Sequence, residues 1–122
     1  MSFEPSEKLQ AILDMINEFV DKELIPMEAE SKGKEFYGMT DELEKKRQMV
    51  RDMELWAPVH PKEHGGMGLP LMETAMIYEA LGRTPFGLYV FGCSAPDAGN
   101  AEILHKYGTP EQKEKYLQPL ID

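Results

Sequence analysis

The sequence predicts an all-α fold, a bundle of five helices. Three observations carry this. Apolar residues recur at helical spacing through most of the chain, capping and breaking residues punctuate those runs, and no two stretches alternate as paired strands would. The chain is 122 residues with 42% hydrophobic residues, a length and composition that fit one folded domain over 1–122.

The first helix is expected over Ser6 to Ile25. Leu9, Ile12, Leu13, Ile16, Phe19, Val20 and Leu24 share one face, Ser6 serves as the cap, and Pro26 stops the helix. Met27 to Met39, with Gly33 and Gly38, reads as a helical extension that decays into a loop. A second helix is expected from about Asp41 to Trp56, opened by an Asp41–Glu44 capping box and buried through Leu43, Val50, Met53 and Leu55. Pro58 to Pro70 is a glycine-rich connection. Its spacing matches neither a P-loop nor a dinucleotide fingerprint, so its glycines are read as tight-turn residues. His60 and His64, four apart within it, lack a further cluster of metal-ligating residues and are read as solvated loop histidines.

Leu71 to Leu81 is apolar on most sides and is expected to be a buried third helix, ended by Gly82 with Arg83 at its negative end. Pro85 to Cys93 (PFGLYVFGC) is read as an extended or single-turn segment over the core. Ser94 then caps a fourth helix with Pro96 in its first turn, and Ala98, Ala101, Ile103, Leu104 and Tyr107 carry it to Gly108. Gly108 is expected at positive φ. Thr109, Pro110 and Gln112 open the fifth helix, Pro110 to about Ile121, through a T-x-x-Q capping box.

Charge and cysteine content narrow the partners. The net charge of −9 argues against nucleic acid or an anionic membrane surface, and no apolar run reaches membrane-spanning length. The single cysteine, Cys93, reads as a small core residue and is compatible with a reducing compartment, hence a cytoplasmic protein. Taken residue by residue, the chain presents no nucleophile–base arrangement and no metal-ligand cluster. Catalytic and metal-binding residues are therefore none, and cofactor-binding residues are unassigned.

Four stretches resemble one family. Gly65-Gly66-Met67-Gly68-Leu69 is similar to the GG-x-G-L loop of the acyl-CoA dehydrogenases, and Tyr78-Glu79-Ala80-Leu81-Gly82-Arg83 to their E-E-L-G-R helix end. Lys106 to Leu120 resembles K-Y-G-T-x-E-Q-K-x-K-Y-L-x-P-L, and Glu18 to Pro26 resembles the end of the family's first helix. The matches fall in order over about residues 6–121. The resemblance implies a helical N-terminal domain without the β and C-terminal domains that follow it in the family. The sequence given ends before the T-E-P-x-A-G-S segment that contacts flavin, and the catalytic glutamate belongs to the C-terminal domain.

The parent is then expected to use FAD to oxidise acyl-CoA to 2-enoyl-CoA and to pass electrons to an electron-transfer flavoprotein. This part alone is expected to be inactive and to bind FAD weakly. Carried over position by position, the resemblance points to Phe91, Ser94, Ala95 and Ala98 as acyl-pocket residues, although Ala95 to Asn100 departs from the family's usual small and hydroxylated run. The alternative is a freestanding helical interaction module without catalysis. Under either reading, a face that normally packs on a β domain is expected to drive self-association.

Overall fold

A computed structural model describes residues 3–95 and 97–122. These residues form helices and connecting turns with no strand among them, as the all-α reading expects. Ser6 caps α1 (Glu7–Phe19) by accepting the Leu9 N–H at 3.2 Å, and Leu9, Leu13, Ile16 and Phe19 are buried.

Pro26 does not stop this helix. The rod passes through a π-helical turn, Val20–Leu24, into α2 (Ile25–Glu30), where Pro26 occupies the first turn. In a regular helix the proline ring strikes the carbonyl four residues back. The wider turn moves hydrogen bonding to the fifth residue back, and the Ile25 N–H bonds the Val20 carbonyl instead. The same device recurs near the far end of the chain. Lys22-Glu23-Leu24-Ile25-Pro26 is echoed by Lys115-Tyr116-Leu117-Gln118-Pro119, again with a π turn (Lys113–Leu117) just before the proline.

The extension after Pro26 decays as expected, through Ser31 into a short 3₁₀ turn at Phe36–Met39. The expected capping box of the second long helix does not form. α3 (Thr40–Asp52) starts at Thr40 behind Met39, and no side chain caps it. Glu44 is engaged elsewhere: it accepts the Tyr89 hydroxyl at 2.7 Å and pairs with Arg47 at 3.3 Å. The helix also ends before Trp56. Glu54 and Ala57 take the left-handed conformation (φ 59° and 48°), which turns Leu55 and Ala57 into the core, and the Ala57 N–H donates to the Phe91 carbonyl at 2.9 Å.

α4 (Leu71–Leu81) packs on α1 but is not buried all round. Ile77, Ala80 and Leu81 face inward, whereas Leu71 is 85% exposed and Ala75 is exposed. Gly82 ends it, as expected. Arg83 reaches across to the first rod, donating to Asn17 Oδ1 of α1 (2.8 Å) and Asp21 Oδ1 of the π turn (2.5 Å), rather than to the helix end. PFGLYVFGC contains a single helical turn, α5 (Gly87–Val90). It buries Phe86, Val90 and Phe91 and sets Phe91 edge-on to Phe19 with centroids 5.5 Å apart.

α6 (Asp97–Tyr107) follows; Pro96, expected in its first turn, lies outside the described residues. α7 (Pro110–Gln112), the second π turn and α8 (Gln118–Ile121) form one last rod, opened by the expected Thr109–Gln112 capping box. Gly108 is not at positive φ. It is glycine for a different reason, since a Cβ there would stand 2.5 Å from the Leu104 carbonyl oxygen. The rods bury two separate clusters. The large one runs from Leu9 to Cys93; the small one joins Ala101 to Leu117 and Ile121, with Leu104 and Leu120 against them.

Candidate functional site

The glycine-rich connection folds into a tight knot because its backbone is bonded to itself. The amides of Gly65, Gly66, Met67 and Gly68 donate to the carbonyls of Lys62, Pro61, Pro58 and His60, at 3.0–3.1 Å. A Cβ on Gly66 would lie 2.0 Å from the His60 carbonyl oxygen, so no other residue fits that approach. With every one of these amides engaged inside the loop, none points outward to cradle a phosphate, and the loop does not fit the pyrophosphate of a dinucleotide or flavin cofactor. The tight-turn reading stands.

The knot forms one wall of a cavity of about 520 Å³, closed by Thr74 and Tyr78 of α4, by α6, and by Leu117 and Ile121 of the last rod. Its lining joins Val59, Ala101, Leu117 and Ile121 to all three histidines of the chain. The solvated-histidine reading is therefore corrected. His60 is 6% exposed and His64 is half-buried, because the loop curls back over α6 rather than standing in water. His64 Nε2 lies 2.6 Å from His105 Nδ1 with the rings edge to face, and His105 Nε2 lies 3.6 Å from Glu63 Oε1. Burial, and then the neighbouring His64 and His105, hold His60 below the ordinary histidine range. Glu102, which also lines the cavity, accepts a hydrogen bond from Lys106 Nζ at 2.6 Å, and that bond holds its carboxyl below the ordinary range. Among the described residues no three His, Cys, Asp or Glu side chains converge as a bound metal ion requires.

The four residues carried over from the family pattern are not gathered in one place. Ala98 lines the cavity. Phe91 is fully buried in the large core, Ser94 is half-buried and Ala95 is exposed. Cys93 is buried with its thiol donating to the Phe91 carbonyl at 3.5 Å, and burial pushes it up to about 12, which is the inert core role expected of it. Sequence reasoning missed the histidine cluster. The His60–His64 spacing was visible, but His105 stands 41 residues beyond His64 and no local pattern links it to the loop.

A family model described as acyl-CoA dehydrogenase, N-terminal domain, matches residues 6–122. The chain belongs to that family. Acyl-CoA dehydrogenase family member 11 of Gallus gallus is 35% identical over 130 residues, covering 98% of this chain and 16% of its own length. Acyl-CoA dehydrogenase family member 10 of Mus musculus is 29% identical over 126 residues, covering 96% of this chain and 12% of its own. A solved structure of an acyl-CoA dehydrogenase from Mycobacterium abscessus superimposes with a TM-score of 0.83 at 33% identity, covering 97% of this chain and 32% of that one. The acyl-CoA dehydrogenase N-terminal domain seen here thus spans a small part of each relative's length. Among its described residues no helix is long and apolar enough to cross a membrane.

Proposed function

We propose that residues 1–122 act as the helical N-terminal domain of an FAD-dependent acyl-CoA dehydrogenase, a single domain that encloses the acyl group and carries no base of its own. The observation that supports this most is the family match over residues 6–122, reinforced by the superposition across nearly the whole chain. In this reading the start of α6 is one wall of the acyl enclosure. Ala98, which lines the cavity, carries this reading furthest; half-buried Ser94 and exposed Ala95 precede it in the chain, and Phe91 is buried in the core. The glycine knot, whose amides are engaged, leaves flavin contacts to other segments of a longer protein. FAD supplies hydride acceptance when bound; the residues here orient the acyl chain and exclude water from it.

The parent would hand its electrons to an electron-transfer flavoprotein in a reducing, cytoplasmic setting. On its own the domain would self-associate through its exposed apolar side chains, which include Leu71, Ile103 and Tyr107. The test is reassembly with the family's middle and C-terminal domains, followed by acyl-CoA-dependent dye reduction. Activity is expected only in the reassembled protein, and Ala98→Phe is expected to lower kcat/KM for long acyl chains at least about tenfold more than for short ones. A tight yellow complex of the 122-residue chain with FAD, or an Ala98→Phe variant with unchanged chain-length preference, would overturn the reading.

A further inference from the structure

The three histidines do something the acyl reading does not require. His64 and His105 belong to different walls of the cavity, the glycine knot and α6, and their ring nitrogens are 2.6 Å apart. That separation holds one proton, donated by one ring into the lone pair of the other. With both rings neutral, one assignment makes both contacts of His105 attractive. His64 Nε2–H donates to His105 Nδ1, and His105 carries its own proton on Nε2, facing the Glu63 carboxylate.

We propose that the His64–His105 pair is a proton-sensitive latch that holds the glycine knot on α6 near neutral pH and releases it in acid. A first added proton, on either ring, leaves the contact intact, as a charged donor to a neutral acceptor. A second must go to whichever of the two facing nitrogens still accepts. It removes the only acceptor and sets two cationic rings against each other in a partly buried space.

The surrounding charges do not relieve this. From the loop, Glu63 faces the pair, with Lys62 beside it in sequence. On α6, Glu102 is already paired with Lys106. Among the described residues that line the cavity, α4 brings Thr74 and Tyr78 and the last rod brings Leu117 and Ile121. The third histidine acts in the same direction, because buried His60 resists a charge beside two others. A group whose folded form is held below its ordinary 6.5 contributes stability above that value and loses it as pH falls.

The experiment is amide hydrogen exchange on the 122-residue chain at about pH 8 and about pH 5, corrected for intrinsic rates. The reporters are Met67 and Gly68, whose amides close the knot on the Pro58 and His60 carbonyls. Their protection is expected to fall at least about tenfold in acid while that of Ile16 and Leu81, in the large core, holds. His105→Gln, or His64→Gln if the first does not fold by circular dichroism, is expected to make the knot insensitive to pH. His60→Asn is expected to keep most of the response. Equal protection of Met67 and Gly68 at both pH values in the unmodified chain, or an undiminished response in the glutamine variants, would overturn the latch.

Discussion

Burial pushes the Cys93 thiol up to about 12 from an ordinary 9.0, and the cause is the loss of water around a sulfur packed beneath Phe91. The unfolded chain ionises at the lower value, so this group supports the fold below about pH 9 and withdraws that support as pH rises toward about 12. Urea denaturation of the unmodified chain should lose up to about 1.4 kcal/mol per pH unit more than Cys93→Ala across that range. Equal slopes for the two proteins would mean that the thiol is not buried in solution. At this scale the sequence was informative where a local contact has no rival partner. Ser6, Thr109 and Gln112 do as caps what their side chains allow. It was uninformative wherever a partner comes from far along the chain. Nothing near His60 announces that the loop will close over it, and nothing near Glu44 announces Tyr89.

The two wide helical turns are the devices that composition alone misassigns. Pro26 reads as a stop because proline in a regular helix costs about 3 kcal/mol, whereas Pro119 lies inside the expected fifth helix. Each sits just beyond a turn whose hydrogen bonds already run five residues back. If those turns relieve the clash, Pro26→Ala and Pro119→Ala should each change unfolding free energy by less than about 1 kcal/mol. Stabilisation of about 3 kcal/mol in thermal or urea unfolding would show that the prolines strain their rods. α4 gives the complementary lesson. Its composition reads as buried all round, yet Leu71 and Ala75 remain exposed, because the number of apolar faces a helix offers does not determine how many neighbours reach it.

Across the whole molecule the helices sort into a large core built from residues 9–93 and a small one that ties α6 to the last rod. Stability divides accordingly, since a cluster with fewer buried apolar groups opens at lower free energy. Leu117→Ala, which truncates a side chain only 1% exposed in the small core, should cost about 2–4 kcal/mol there. Hydrogen exchange should show that loss in α6 and the last rod while α1 and α4 keep their protection; a uniform loss would mean that the two clusters unfold as one. Helix order, the single turn in PFGLYVFGC and the last junction were legible in the sequence because each is set by neighbours a few residues away. The two-core division and the cavity between them were not, because both depend on how distant segments meet. The wide turns carry a further consequence for comparing relatives. Alignments with them extend over 126–130 residues against 122 here, so lengths differ somewhere along the way. A five-residue turn exchanged for a four-residue one drops a position without rotating either flank, so a relative that lacks both the proline and one residue at 20–24 or 113–117 would keep the same rod.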